Sequence, residues 1–380
     1  MAHRVIGILD ARESFGKCYD ENKMIAQIPS ASPAHNPDIS GTLRAGVIGA
    51  GRMGITHLAI LGGHPAVQVT AVADDSPLMS RVLRKFRPDI RLFDDFRTML
   101  QDAELDFVLI ATPPHLHASM IDASLDAGLS VFVEKPFTLG AEEARRLTER
   151  SREKRGTYQV GYVNRFNDVF IRAKQILEAG VLGRLISFRS DMFGRTVTRP
   201  SSGAGWRGRR EMGGGCLYEF GSHAIDLMVY LLGKPARVTG SCLTPIYSSS
   251  SDDMVRTNIV YENGLRGSIY VNWSDQSYRK PTNKIEILGE HGKLLADQHE
   301  LKLYLDYAVL PFSIGWNTIY ITDCFTQVPF YVRGNEFTRQ LFHFVERVQD
   351  PAQPNLAGFS DASVTQEVID MVLADAGLEN

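Results

Sequence analysis

Residues 45–61, AGVIGAGRMGITHLAIL, decide the fold of the first half of the chain, because three glycines stand between an apolar run and a helical pattern. Gly49 permits a tight turn, Gly51 lets a pyrophosphate approach the backbone, and Gly54 lets the following helix pack closely on the strand. The helix N-terminus then offers free N–H groups to an anion. The next apolar run, VTAVA, is followed by Asp74, whose carboxylate can accept hydrogen bonds from a ribose. This spacing predicts a dinucleotide-binding unit, and a glycine-rich turn of another doubly wound domain is the alternative.

The residues after this second strand bear on which dinucleotide is bound. Asp74 is followed by Asp75 and Ser76 rather than by an arginine. Two carboxylates would repel the 2′-phosphate of NADP, so the sequence favours NAD over NADP. Arg81 lies close enough in the chain to swing in, which keeps NADP as the second choice.

The pattern of apolar runs divides the chain into two folded parts. Runs such as DFVLIAT and SVFVEK alternate with helical segments up to residue 162, which predicts a parallel sheet covered on both faces. Beyond it, VRTNIVYENGLRGSIYVNW predicts a hairpin around an Asn-Gly turn, followed by further antiparallel strands. The predicted architecture is α/β, with an N-terminal Rossmann doubly wound parallel sheet and an α+β domain that carries a large, mostly antiparallel open sheet. The predicted segments are an N-terminal extension and linker (1–43), the Rossmann domain (44–162), the substrate and oligomerisation domain (163–355) and a C-terminal helical segment (356–380).

The bulk composition excludes several classes of protein. The 380 residues include 41 basic and 44 acidic side chains, and a net charge of −3 gives no general attraction to nucleic acids or to membrane surfaces. No apolar run approaches the roughly 20 residues of a membrane span. The four cysteines have no paired spacing, which argues against a disulfide framework or a zinc ribbon. The first residues have too short an apolar core for a signal peptide, so the sequence predicts a cytoplasmic protein.

Residues 131–137, VFVEKPF, place a lysine at the inner end of an apparently buried strand. A desolvated ammonium is costly, so Lys135 is either neutralised, for example by Glu134, or used in chemistry. Further along, Glu219 and His223 are four residues apart and share one face of a predicted helix. Together with Lys135 they could move the proton that leaves a hydroxyl group during oxidation. A core histidine is the plain alternative for His223, and no third ligand at suitable spacing supports a metal site.

Four motifs in this order resemble the glucose–fructose oxidoreductase, inositol dehydrogenase and rhizopine catabolism family (Gfo/Idh/MocA): GAGRMG, ATPPHLH, EKPF and GGGCLYEFGSHAIDL. The resemblance begins at about residue 44 and runs to near the C-terminus. It implies a Rossmann domain followed by a domain whose open sheet mediates oligomerisation, in a homodimer or homotetramer. It also implies the oxidation or reduction of a secondary alcohol on a sugar, a cyclitol or a sugar nucleotide.

The resemblance also implies roles for individual residues. Lys135 would contact both the nicotinamide ribose and the substrate, and the acid and imidazole of the glycine-rich helix would face the reacting carbon. The family's usual aspartate in that helix is replaced here by Glu219, whereas the histidine is present as His223. The predicted catalytic residues are Lys135, His223 and Glu219. The predicted cofactor contacts are Gly49, Gly51, Arg52, Met53, Gly54, Asp74, Thr112, Pro113, His117, Glu134, Lys135, Trp206 and Arg207.

Arginines are concentrated in the loop before the glycine-rich helix, FGRTVTRPSSGAGWRGRREMGGG. Such a loop is often only a solvated basic surface, but guanidinium groups also suit the phosphates of a sugar nucleotide or sugar phosphate. The predicted substrate contacts are Arg209, Arg210, Asn164 and Arg165, and the last two could instead bind structural carboxylates. Two other functions stay open: a non-redox member of the family that oxidises its substrate transiently, and a nucleotide-binding regulator without catalysis.

Overall fold

Two β-sheets organise the chain in this computed structural model, which describes residues 41–200 and 205–378. The predicted N-terminal extension, residues 1–43, lies outside the described residues except for its last three positions. No helix within the described ranges is long and apolar enough to cross a membrane.

The first sheet has six parallel strands in the order β3-β2-β1-β4-β5-β6. The strands are β1 (Leu43–Ile48), β2 (Val67–Ala73), β3 (Arg91–Phe93), β4 (Phe107–Ile110), β5 (Ser130–Val133) and β6 (Tyr158–Val160). The helices between them are α1 (Arg52–Gly62), α2 (Pro77–Phe86), α3 (Phe96–Asp102), α4 (His117–Asp126) and α5 (Ala141–Arg152). Every residue of β4 and β5 is buried, as expected for central strands covered by helices on both faces. The predicted doubly wound parallel sheet is confirmed, and its chain order reverses between β1 and β4.

The second sheet has eight strands in the order β14-β13-β12-β11-β7-β10-β9-β8 and is antiparallel except where β7 pairs with β10. Its strands are β7 (Leu185–Phe193), β8 (Arg237–Thr244), β9 (Met254–Val260), β10 (Arg266–Asn272), β11 (Thr282–Gly289), β12 (Gly292–Ala296), β13 (Glu300–Leu305) and β14 (Gly315–Tyr320). The accompanying helices are α6 (Asp168–Glu178), α7 (Ser222–Leu232), α8 (Ile321–Cys324), α9 (Asn335–Gln349) and α10 (Phe359–Asp375). Alternate residues of β13 are buried, so one face of the sheet packs on the core and the other is open. The predicted α+β domain with a mostly antiparallel sheet is confirmed.

The last two helices, which lie on either side of the predicted boundary at residue 355, both contact the first domain. Helix α9 packs on the first sheet, where the ring of Phe344 meets those of Phe107 and Phe132 at centroid distances of 5.3 and 5.7 Å. Burying one such aromatic ring contributes about 1.5–3 kcal/mol. Helix α10 joins both cores, since Phe359 packs with the first domain and Val372 with the second. The chain therefore returns to its first domain after completing the second sheet, because the amphipathic face of α9 covers apolar surface left open there.

The carboxyl ends of the parallel strands form the edge at which ligands bind in doubly wound folds. The glycine turn follows β1, Asp74 follows β2, Lys135 follows β5, and a short turn at Val163–Phe166 follows β6. The fold thus brings residues from distant parts of the sequence to one edge, next to the reversal of strand order.

Candidate active site

The three glycines after β1 meet different requirements. A Cβ on Gly54 would lie 1.9 Å from the carbonyl oxygen of Gly49, and a Cβ on Gly49 would lie 2.8 Å from that of Ala111. Gly49 also has a φ of +91°, which side chains of L-residues rarely adopt. A Cβ on Gly51, in contrast, would meet nothing within 4 Å. Gly49 and Gly54 are therefore required by the fold itself, whereas Gly51 borders open space of the kind that a pyrophosphate needs.

Asp74 has a structural task besides the predicted one. Its Oδ2 accepts a hydrogen bond from the N–H of Ala50 at 2.6 Å, and its Oδ1 accepts one from the N–H of Ser76 at 2.9 Å. The carboxylate thus ties the glycine turn to the end of β2 while lone pairs remain for a ribose. Arg52 and Met53 form the first turn of α1, whose N–H groups have no partners within the helix. These residues fit the adenosine and pyrophosphate parts of NAD.

His117 was predicted to line the cofactor, but its imidazole is fully buried. Its Nδ1 lies 2.9 Å from the carbonyl oxygen of Pro136, and its Nε2 lies 3.1 Å from that of Thr112. Burial lowers its pKa, which favours the neutral ring. His117 therefore joins the loops after β4 and β5 from behind, while Thr112 and Pro113 occupy the loop that faces the glycine turn.

Lys135 projects from the end of β5 toward the second domain. Its Nζ donates a hydrogen bond to the backbone oxygen of Glu219 at 3.0 Å and lies 3.6 Å from Oε1 of the same residue. The other carboxylate oxygen of Glu219 lies 3.6 Å from Nε of Arg207. The side chain of Lys135 is only 13% exposed, so the carboxylate of Glu219 is the principal charge that compensates this ammonium across the crevice. The alternative in which Glu134 alone neutralises Lys135 does not account for this arrangement.

Glu219 and His223 lie where a π-helical turn, Leu217–Gly221, leads into α7. A regular helix was expected here, but the wider turn inserts an extra residue, a feature often found at functional sites. Burial, with the charge of Lys135 as a second cause, brings the pKa of His223 well below its usual range. Its Nδ1 is buried and has no hydrogen-bond partner among the described residues. The ring is therefore neutral, as a proton acceptor requires, and because Nδ1 is buried a ligand can reach only the partly exposed remainder of the imidazole.

Glu134 was predicted to contact the cofactor, and in the structure both oxygens of its carboxylate have partners within the protein. Its Oε1 lies 2.5 Å from Nε2 of His57, and its Oε2 accepts the N–H of Lys135 at 3.2 Å. His57 lies on α1 and is completely buried, with its ring edge-on to Phe132. The sequence analysis overlooked His57. Its position three residues after Gly54, on the helix of the glycine turn, was the available signal.

The arginine loop contributes side chains of two kinds. The guanidinium carbon of Arg207 lies 4.5 Å from the ring centroid of Trp206, and Nε of the same guanidinium lies near the carboxylate of Glu219. Arg209 is exposed, so it is available to a ligand. Arg210 turns toward a buried carboxylate, with its Nη2 3.7 Å from Oδ1 of Asp252. Residues 201–204 of this loop lie outside the described residues.

Asn164 and Arg165 form part of the turn after β6 and have different surroundings. Nε and Nη2 of Arg165 donate to the carboxylate of Asp226 at 2.7–3.1 Å, and Nη1 donates to the backbone oxygen of Leu356 at 3.1 Å. Arg165 is therefore committed to a structural carboxylate, which is the alternative that the sequence analysis left open beside a contact with substrate. Asn164 is 8% exposed and lies in the same turn, at the edge next to Lys135.

No group of three His, Cys, Asp or Glu side chains within the described ranges could hold a metal ion.

Models of known protein families match both folded parts of the chain. Residues 43–162 match the model described as "Oxidoreductase family, NAD-binding Rossmann fold", and residues 170–295 match the "GFO/IDH/MocA C-terminal domain". Together the two matches cover most of both sheets and all residues from the glycine turn to His223 except a short gap before residue 170.

Two curated relatives illustrate the range of similarity. Levoglucosan dehydrogenase of Pseudarthrobacter phenanthrenivorans is 29% identical over 60% of this chain and 66% of its own length, so the match spans slightly less than two thirds of that protein. The NAD(+)-dependent scyllo-inositol 2-dehydrogenase of Bacillus subtilis is 28% identical over 86% of this chain and 92% of its own length.

Solved structures agree with the fold. Levoglucosan dehydrogenase in complex with NADH and levoglucosan superposes with a TM-score of 0.78 and 23% identity, covering 88% of this chain and 97% of that one. This likeness concerns the fold, and the two family matches concern the sequence. The chain belongs to the Gfo/Idh/MocA family of NAD-binding oxidoreductases.

Proposed function

We propose that this protein is an NAD-dependent dehydrogenase that oxidises a secondary hydroxyl group of a sugar or cyclitol, or reduces the corresponding ketone. The observation that carries the proposal is the convergence of Lys135, Glu219 and the neutral imidazole of His223 at the carboxyl end of β5. The names of the two curated relatives, one acting on levoglucosan and one on scyllo-inositol, support this substrate class.

Oxidation of a carbinol breaks one C–H bond and one O–H bond, and bound NAD⁺ supplies the acceptor for the hydride. The remaining task of the protein is to take the hydroxyl proton and to stabilise the charge that develops on oxygen. In the proposed mechanism the neutral His223 accepts this proton at Nε2, because Nδ1 is buried while the residue as a whole is partly exposed. The ammonium of Lys135 donates a hydrogen bond to the same substrate oxygen. In the reverse direction, the protonated His223 returns this proton to the ketone oxygen, while Lys135 again donates a hydrogen bond to that oxygen.

Glu219 occupies the position of the family's aspartate, and its side chain is one methylene group longer. Because its two oxygens lie 3.6 Å from Lys135 and 3.6 Å from Arg207, its role in the proposal is to hold Lys135 in place. The proposal therefore assigns Glu219 a contact with the catalytic lysine rather than with the substrate.

The guanidinium groups of Arg207 and Arg209 suit a phosphate on the substrate. A sugar nucleotide or sugar phosphate is therefore the alternative substrate class for the same reaction. The proposed assembly is a homodimer or homotetramer formed through the open face of the second sheet. Tyr304 and Trp316 support this, since their rings pair on neighbouring strands and are 40% and 57% exposed. A cytoplasmic location is also proposed, supported by three free cysteines among the described residues.

The test is replacement of Lys135 by Met, which keeps the apolar stem and removes the ammonium. Turnover should fall by roughly 10²-fold or more, the scale of a lost donor to the charge that develops on oxygen, while NAD affinity changes little. Lys174→Met is a matched control because Lys174 also bonds a backbone oxygen and a carboxylate, at 2.9 and 3.0 Å, but lies on α6. His223→Asn should slow turnover as well, and the double variant should lose less than the product of the two losses.

Three results would contradict the proposal or separate it from its rivals. Near-normal turnover of Lys135→Met would show that the lysine is structural. Product formation without net reduction of NAD⁺ would favour the non-redox alternative. NAD binding by the wild-type protein without turnover of any sugar, cyclitol or sugar nucleotide would favour the regulator.

A further inference from the structure

The pair formed by His57 and Glu134 is buried directly behind Lys135. The two side chains meet at 2.5 Å, His57 is 0% exposed and Glu134 is 8% exposed. A buried carboxylate without a partner is costly, and here the imidazole of α1 is that partner. Space for the carboxylate comes from Gly161, since a Cβ on that residue would lie 3.2 Å from Oε2 of Glu134. The arrangement is a built site for one negative charge at the end of β5.

The strand order indicates which part of the cofactor lies near this charge. The adenosine side of the site is at Asp74 after β2, and the pyrophosphate side is at the glycine turn after β1. A dinucleotide that runs along this edge must place its nicotinamide end over the other half of the sheet, beyond β4, β5 and β6. Glu134 stands at the centre of that half.

Positive groups surround the same region. Lys135 follows Glu134 directly, and Arg333 approaches from the segment before α9, with its guanidinium 5.1 Å from the ring centroid of Phe337. Burial and the charge of Arg52 lower the pKa of Arg333, and Glu134 partly opposes this effect. The oxidised nicotinamide ring is itself a cation, and the reduced ring is neutral. Glu219 lies between Lys135 and Arg207, so without Glu134 the oxidised ring would meet an excess of positive charge.

Glu134 is suited to stay ionised in this setting. Burial alone would raise the pKa of its carboxyl group, but the hydrogen bond and charge of His57, together with the charge of Lys135, bring the pKa below its usual range. His117, on α4, also faces Glu134, and its own pKa is lowered by burial. The groups facing Glu134 are thus His57, Lys135, His117 and Arg333.

We propose that Glu134, held in place by His57, is a fixed negative charge that favours the oxidised cofactor over the reduced one, and that His57 is a positioning residue for it. Glu134 acts in this proposal through its charge and does not need to touch the cofactor. The inference rests on NAD binding and not on the proposed sugar oxidation, so the two can fail separately.

The test compares the dissociation constants of NAD⁺ and NADH, measured by calorimetry and by nicotinamide fluorescence on the full chain. Glu134→Gln keeps the size of the side chain and an oxygen for His57 but removes the charge. NAD⁺ binding should weaken about tenfold, the effect of one charge at roughly 10 Å in a protein-like dielectric, while NADH binding changes less than about twofold. Equal weakening of both forms, or no change in either, would overturn the proposal. Absence of NAD⁺ and NADH binding by the wild-type protein would overturn it together with the cofactor assignment.

His57 variants provide an independent arm, which also serves if Glu134→Gln does not fold. In His57→Leu the carboxyl group of Glu134 stays buried without its partner, so its pKa should rise toward neutrality. NAD⁺ affinity should then be close to wild type at pH 9, where Glu134 is ionised, and fall as the pH decreases to 6. His57→Gln can still donate a hydrogen bond and should remain close to wild type at both pH values, with thermal unfolding as the folding control. A pH dependence of NAD⁺ affinity in His57→Leu no steeper than in wild type would refute the positioning role.

Discussion

The buried ion pair between Arg165 and Asp226 provides a quantitative test of how the two domains are joined. Arg165 follows β6 of the first sheet, Asp226 lies on α7, and Oγ1 of Thr365 on α10 donates to the same carboxylate at 3.1 Å. The side chains of Arg165 and Asp226 are 4% and 1% exposed. Asp226→Asn keeps the volume but removes the charge and turns an amide N–H₂ toward a guanidinium that can only donate.

The expected loss follows from these contacts. Removing one partner of a buried ion pair costs about 3–5 kcal/mol, because the other charge stays buried without compensation. A hydrogen bond to a charged group contributes roughly 1.5–3 kcal/mol. The expected cost of about 3–5 kcal/mol therefore corresponds to the loss of about two of the hydrogen bonds between Arg165 and Asp226. Asp361→Asn is the matched control, since Asp361 lies 3.7 Å from Arg165 and is 47% exposed. That change should cost at most about 1 kcal/mol.

The assay is urea unfolding followed by both circular dichroism and tryptophan fluorescence, with the free energy of unfolding extrapolated to water. Arg165→Met combined with Asp226→Leu should recover at least half of the loss, because apolar replacement of both partners removes the uncompensated charge. A loss below about 1 kcal/mol for Asp226→Asn, or an equal loss for Asp361→Asn, would refute the reasoning.

Three further predictions concern the cofactor and the substrate. Gly51→Ala should fold normally but bind NAD at least about tenfold more weakly. Gly54→Ala should yield little folded protein, because its Cβ would lie 1.9 Å from a carbonyl oxygen. Equal thermal stability of the two variants would contradict this prediction. Replacing Asp74 by Ser together with Asp75 by Arg should narrow or reverse the preference for NAD in parallel titrations with NADP, and a tenfold preference of the wild type for NADP would refute the premise. Arg209→Ala should raise KM for a sugar nucleotide far more than for a neutral sugar. An unchanged KM, with a neutral polyol as the better substrate, would show that the arginine loop is only a solvated surface.

Much of the fold could be predicted because the relevant physics is local in the chain. The glycine spacing after β1 reflects steric requirements between neighbouring backbone segments, which the contacts of Gly49 and Gly54 confirm. The apolar runs of the first half and the alternation of the second determine which sheet each can form. The position of Lys135 at a strand end was also readable, because Pro136 follows it directly.

The partners of the charged groups could not be predicted in the same way. Glu134 and His57 are 77 positions apart, and Arg165 and Asp226 are 61 positions apart. Which acid meets which base depends on how the helices pack on the sheets, and many pairings are compatible with the same local patterns. The sequence by itself determined the two sheets, the glycine turn and the set of polar residues at the carboxyl edge. Only the tertiary structure decided that Arg165 serves the domain interface and that Glu134 is paired with His57, because the cost of burying a charge depends on the partner that packing brings to it.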